Sequence, residues 1–184
     1  MTGQLNKKSR QTATLAGGCF WCIESAFNMV KGIITTKSGY MGGQSEAPTY
    51  KDVCTANTGH AEVVQLAFDS QVISFREILD IFFTLHNPTQ LNRQGDDVGT
   101  QYRSEIFTHD TEQHQIAEQI IKEMGQDQLF DYPIVTRVSR VVTFHSGEDY
   151  HQDYFKNNSE NQYCQAIVSP KLAKFRKVFV GKLK

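Results

Sequence analysis

The 184-residue sequence predicts an α/β protein of the α+β kind. The expected form is a two-layer sandwich, a ferredoxin-like plait with a mixed sheet and helices packed on it. Three observations predict it. Strand-like and helix-like stretches follow one another as β-α-β, β-α-β, and then further β and α. The strand candidates are short and rich in β-branched residues. The helix candidates carry recognisable start and stop signals.

The elements follow in order. Residues 12–16 suit a short strand that Gly17 and Gly18 punctuate. Residues 19–29 read as a helix, with Phe20, Ile23 and Phe27 at helical spacing. Residues 30–38 form the next strand candidate, and GYMGGQSEAPT (39–49) is turn-rich and expected as a long loop. HAEVVQLAF (60–68) is again strand-like. Ser74 and Glu77 can form a capping box, with Ile73 and Ile78 as the hydrophobic staple, so a helix starts there and stops at Asn87-Pro88. A polar loop then leads to a strand at 102–108. Asp110 can cap a helix with Ile116, Ala117, Ile120, Ile121 and Met124 on one face and a stop at Gly125. Residues 134–144 are strand-like and 148–155 helical. Ser169 as cap and Pro170 at the first position open a last helix.

The length fits one domain, expected over 11–184 after a flexible segment at 1–10. A net charge of -1 at pH 7 provides no overall positive field for nucleic acid or an anionic membrane. No apolar run reaches bilayer length, and no apolar stretch follows the basic N-terminus, so a cytoplasmic protein is expected. Four cysteines (Cys19, Cys22, Cys54 and Cys164) are too scattered for a disulfide scaffold. No histidine or cysteine pair completes a zinc set, so no metal is expected. The basic C-terminal stretch KLAKFRKVFVGKLK reads first as a solvated helix face and second as a docking patch for an acidic partner.

GGCFWCIE (17–24) concentrates the chemistry. Cys19 follows a glycine turn and opens a helix, where N–H groups and the positive dipole end favour the thiolate, against the alternative of a small buried hydrophobe. Phe20 and Trp21 are adjacent and cannot share one helix face, so at least one points away from the core and can wall an apolar substrate group such as a methyl. Cys22 completes a C-x-x-C spacing, which leaves dithiol chemistry open. In TGHAE, His60 and Glu62 alternate on a strand and would share a face. A half-buried Glu62 would have a raised pKa and serve as a general acid, and a salt-bridged or exposed Glu62 is the equal alternative. Tyr50 and Tyr102 flank polar loops, either as ordinary half-buried tyrosines or as phenol donors.

Taken together, GCFWCIE, SGYMGG with APTYKDVC, TGHAEVVQLAFD, GDDVGTQYRS, EDYHQDYF and QYC resemble the peptide methionine sulfoxide reductase A family, in the right order from about residue 12 to 171. The resemblance implies a thioredoxin-dependent reductase of the S epimer of methionine sulfoxide, acting on oxidised protein or peptide methionine and on the free amino acid. It implies a two-layer α/β fold, a monomer and no bound cofactor. Cys19 matches the nucleophile, Glu62 the acid that protonates the sulfoxide oxygen, and Tyr50 and Tyr102 the phenols that bind that oxygen. Phe20 and Trp21 match the methyl pocket, and Asp97 a polar residue that holds the substrate.

This chemistry asks for opposite pKa shifts in neighbours, Cys19 down through the helix terminus and Glu62 up through burial. The sulfenic acid left on Cys19 then needs a second thiol. Cys164 matches the family's tail cysteine and follows a polar stretch, NNSENQ, expected to be mobile. Cys22, one helical turn from Cys19, is the rival. The tail position is preferred because a loop moves more readily than a helix. The chain lacks the second tail cysteine of some members, and Cys54 is expected to be structural. A general dithiol oxidoreductase built on Cys19 and Cys22, and a module that captures methionine-bearing segments, are the competing readings.

Overall fold

The computed structural model describes residues 9–184, so residues 1–8, most of the segment expected to be flexible, lie outside the described part. Eight strands and six α-helices are described. The strands are β1 (Arg10–Gly17), β2 (Ile33–Met41), β3 (Ala61–Asp69), β4 (Arg93–Gln94), β5 (Asp97–Val98), β6 (Ser104–Thr108), β7 (Arg137–Arg140) and β8 (His145–Ser146). The helices are α1 (Phe20–Asn28), α2 (Tyr50–Cys54), α3 (Phe75–Leu85), α4 (Thr111–Gln126), α5 (Tyr154–Asn157) and α6 (Ser169–Val178).

The main sheet runs β7-β6-β1-β3-β2-β8. Its centre, β6-β1-β3-β2, is antiparallel throughout, and the crossovers β1-α1-β2 and β3-α3-β6 each leave one strand between their two ends. That is the split βαβ plait. β7 lies parallel to β6 and β8 antiparallel to β2, so the sheet is mixed, as expected.

Strand periodicity decides which side chains meet the helices. On β3, Val64, Leu66 and Phe68 join the main core, with Phe20, Ile23 and Phe27 of α1 and Ile78, Leu79 and Phe82 of α3. Ala61 and Val63 belong to a smaller cluster with Ala16, Met41 and Phe107. Glu62 has the parity of Val64 and therefore points toward the helices. It pairs in register with Tyr40 of β2.

The capping signals at Ser74 and Asp110 operate as written: Ser74 accepts from Glu77 N–H and Asp110 from Gln113 N–H. Elsewhere the structure differs for local reasons. β2 starts three residues later than its β-branched run and continues through Gly39 to Met41, because those backbones pair with β3 and β8. Short α2 was hidden in an expected loop edge, although Thr49 and Asp52 form a second capping box. The helix expected at 148–155 is broken at Asp153, which sits in the left-handed region (φ 52°, ψ 34°). Ser169 is not a cap; it is already helical, because a π-helical turn, Cys164–Val168, feeds directly into α6. Among the described residues no helix is long and apolar enough to cross a membrane.

Candidate active site

β1 ends against α1 at Gly17-Gly18. A Cβ on Gly17 would meet the Phe82 ring at 2.7 Å, and Gly18 takes φ +90°. Only glycines allow the strand to turn this closely onto α3 and deliver Cys19 to the N-cap of α1. Cys19 offers no side-chain cap. Glu62 acts in its place: the Phe20 backbone N–H donates to Glu62 Oε2 at 3.0 Å, so a carboxyl on β3 satisfies a free N–H at the start of α1.

A cavity of about 350 Å³ opens above this junction. Cys19, Glu62, Tyr50, Tyr102, Asp97, Phe20 and Trp21 all line it. Seven of the eight expected site residues thus meet in one place. Phe20 is fully buried and Trp21 half-buried, so the two adjacent aromatics divide as helix geometry requires. Tyr50 is held by its place at the start of α2, where its N–H donates to Glu148 Oε1 at 2.7 Å. Tyr102 ends the 3₁₀ turn Thr100–Tyr102, and Asp97 stands on the small β4–β5 hairpin.

The eighth residue, Cys164, does not line the cavity. It is fully buried in the π-helical turn. The residue before it, Tyr163, enters the cavity instead, donating to Asp97 Oδ2 at 2.8 Å and reaching the Cys19 sulfur. His60 also departs from expectation. β3 begins only at Ala61, and His60 turns away to accept from Gly43 N–H at 3.1 Å and to bond the Ser45 carbonyl at 2.8 Å.

Electrostatics reverse half of the expected pair of shifts. Burial pushes Glu62 well above the usual carboxylate range, and the adjacent Cys19 pushes it further, outweighing the Phe20 N–H. Cys19 is also pushed well up, first by burial and then by a thiol–thiol hydrogen bond with Cys22. The Trp21 N–H at the helix terminus does pull it down, as expected of that position, but by less. Burial thus favours the protonated form of both the acid and the thiol. Cys22 is drawn down, mainly by the same hydrogen bond. Tyr50 and Tyr102 are pushed up by burial and by Glu62, so both stay phenols.

The sequence reading missed a second layer of aromatics. Tyr154 of α5 stacks flat on Trp21, ring centres 3.7 Å apart and planes 6° from parallel. Tyr163 meets Trp21 edge-on at 5.7 Å. The Trp21 indole N–H donates to His151 Nδ1 at 3.1 Å. Indole is only a donor, so the neutral His151 ring carries its proton on Nε2, 3.7 Å from Glu148 Oε2. Glu148 also accepts from the Tyr40 hydroxyl at 2.7 Å. EDYHQDYF and QYC supply these groups, and their density of Tyr and His was the available signal.

A family model described as peptide methionine sulfoxide reductase matches residues 11–183. The chain belongs to that family. Peptide methionine sulfoxide reductase MsrA of Saccharolobus solfataricus is 52% identical over 174 residues, 95% of this chain and 97% of that protein. Among solved structures, Mxr1 from Saccharomyces cerevisiae in reduced form gives a TM-score of 0.79 at 34% identity, covering 88% of this reductase and 92% of Mxr1. Mxr1 in complex with Trx2 gives 0.56 at 25% identity, over 83% and 90% of the two chains. The reductase thus shares most of the extent of that fold, and Cys19, Glu62, Phe20 and Trp21 line one cavity of it.

Proposed function

We propose that the cavity reduces the S epimer of methionine sulfoxide, in oxidised proteins, in peptides and as the free amino acid, with Cys19 as nucleophile and Glu62 as acid. The observation that carries the reading is a buried carboxyl sharing one cavity with a thiol at a helix start and a set of aromatic rings, its burial raising its pKa. The methyl group lies against Phe20 and Trp21, the oxygen faces Glu62, Tyr50 and Tyr102, and the sulfur stands over Cys19. Asp97, bonded to Tyr163, closes the polar side.

The neutral pair dictates the proton path. Glu62 gives its proton to the sulfoxide oxygen as the Cys19 sulfur attacks the sulfoxide sulfur. Cys19 loses its own proton to Glu62, so no charge enters or leaves the site. The oxygen passes to Cys19 as hydroxyl, leaving a methionine thioether and a Cys19 sulfenic acid. The substrate sulfur gains two electrons and Cys19 loses two.

The thiol order departs from the tail-first expectation. Cys22 already shares a hydrogen bond with Cys19, whereas Cys164 must leave a packed turn. Cys22 attacks the sulfenic sulfur, water leaves, and a Cys19–Cys22 disulfide forms between the N-cap and third residue of α1. Cys164 exchanges into that disulfide in a second step. A dithiol reductant, thioredoxin in the cell, restores the thiols. The Mxr1–Trx2 complex supports that class of partner.

The test uses racemic methyl p-tolyl sulfoxide with dithiothreitol, read by chiral chromatography. Consumption of the S epimer alone, with sulfide formed, is the expected result. Disulfide exchange without sulfide would return the protein to the general dithiol reading.

A further inference from the structure

Glu148 opens the EDYHQDYF stretch, and the chemistry above assigns it no task. Its place is fixed by the backbone. β8 pairs with β2 through Ser146 and Gly39, and the Gly147 N–H donates to the Ser38 carbonyl at 3.0 Å. The His151 N–H then closes a turn on the Glu148 carbonyl at 2.9 Å. From this edge of the sheet both carboxyl oxygens are engaged. Oε1 accepts from the Tyr50 N–H at 2.7 Å and Oε2 from the Tyr40 hydroxyl at 2.7 Å. Tyr40 is fully buried on β2, its ring centre 5.9 Å from that of Phe20.

Helix α2 needs such a tie. It has five residues, and Val53 is the buried one among them. Its capping box satisfies the Asp52 N–H through the Thr49 hydroxyl and the Thr49 N–H through the Asp52 carboxyl. The first helical N–H, that of Tyr50, has no partner within the helix and goes to Glu148. A second hold on Tyr50 comes from the same turn, since the His151 ring centre lies 4.5 Å from that of the phenol. A helix this short is marginal on its own, so its orientation is set by what it is bonded to. Any rotation at its first residue is carried out to the Tyr50 hydroxyl.

We infer that Glu148 is a positioning residue for the reduction: its carboxylate, anchored on the sheet edge and held by Tyr40, fixes the start of α2 and so places the Tyr50 phenol against the sulfoxide oxygen. The inference rests on the reading of Tyr50 as a donor to that oxygen. Glu148 does not itself line the cavity, so it acts through Tyr50. Glutamine keeps a carbonyl oxygen for the Tyr50 N–H, and its amide can donate to the Tyr40 oxygen, so it is the rescuing substitution. Alanine removes the acceptor that the two tyrosines share.

The test is single-turnover reduction of a methionine sulfoxide peptide by the reduced protein, followed as thioether formed over a range of peptide concentrations. Tyr50→Phe is expected to lower the limiting rate about tenfold or more, with half-saturation changed less than about threefold. Glu148→Ala is expected to lower it about tenfold, and Glu148→Gln to stay within about threefold of the unaltered protein. The deciding measurement is the double variant. Glu148→Ala added to Tyr50→Phe should cost no more than about twofold, because the group that Glu148 places is already gone. Effects that multiply overturn the inference, as does a Glu148→Gln as slow as Glu148→Ala. If Tyr50→Phe keeps the full rate, the donor reading fails and the inference with it; if Tyr50→Phe is slow and a folded Glu148→Ala is not, only the role of Glu148 fails. Should Glu148→Ala not fold, Tyr40→Phe takes its place, since it removes only the hydroxyl that holds Oε2. It should slow the unaltered protein about threefold or more and leave Tyr50→Phe unchanged. Equal slowing in both backgrounds, or none in either, overturns the inference.

Discussion

The Phe20 backbone N–H and the Glu62 carboxyl meet at 3.0 Å, which ties the start of α1, where Cys19 stands, to β3. Reaction geometry thereby becomes a property of the α1–β3 packing. Glu62→Gln keeps an acceptor for Phe20 but has no proton to give, so the fold should survive and kcat should fall about 10²–10⁴-fold.

The raised pKa of Glu62 sets the sign of the pH response. The acid is useful only while protonated, so kcat/KM should be level below its folded pKa and decline as pH rises through it. Glu62→Gln should lose that descending limb along with most of its rate. A single-turnover pH series on reduced enzyme measures this; a limb that persists in Glu62→Gln assigns the titration to Cys19 or Cys22.

The thiol order makes separable predictions. Cys22→Ser should slow formation of the first disulfide and leave Cys19 sulfenic acid open to trapping by a dione reagent. Cys164→Ser should still form a Cys19–Cys22 bridge in the first turnover and then recycle poorly with thioredoxin. Peptide mass mapping after one equivalent of substrate reads both. A Cys19–Cys164 bridge as the first product reinstates the tail-first order.

The plait was legible in the sequence because its strands and capped helices obey local rules. Ser74 with Glu77 and Asp110 with Gln113 are short-range devices, and period two on β3 suffices to aim Glu62 at the helices. What escaped depends on distant partners. The Asp153 kink is bonded by Asn28, 125 residues away in sequence, and nothing nearby announces a left-handed aspartate. Cys164 read as mobile because NNSENQ is polar, yet packing of Val168, Leu172 and Phe175 into the main core carries the cysteine inside with them. The Cys19 shift was missed for the same reason. A helix terminus is visible in sequence, whereas the burial that overrides it is a tertiary property.

The Trp21–His151 hydrogen bond offers another measurement. Trp21→Phe keeps an aromatic face for the substrate methyl but removes the indole N–H and part of the stack with Tyr154. Loss of one hydrogen bond and some stacking amounts to about 1–2 kcal/mol, so KM should rise roughly 5- to 30-fold with kcat less affected. Trp21→Leu, with no ring to stack, should raise KM further. Steady-state kinetics on a peptide substrate checks both, and equal KM values for the two variants would remove the aromatic face from the account.

Glu24, buried on α1, marks the pH dependence of stability. Burial raises its pKa to about 7, from 4.5 for the free side chain. A carboxyl with a raised folded pKa binds its proton more tightly in the native state, so its stabilising contribution is fully present below about pH 4.5 and is lost as pH rises through about 7. The shift corresponds to roughly 3–4 kcal/mol across that window. Urea unfolding at a series of pH values, compared between the unaltered protein and Glu24→Gln, isolates the group, since every other titration is common to both. The difference in unfolding free energy should move in favour of Glu24→Gln as pH rises from 4.5 to about 8. A difference that stays flat would show that Glu24 keeps the same charge in the folded and unfolded chains.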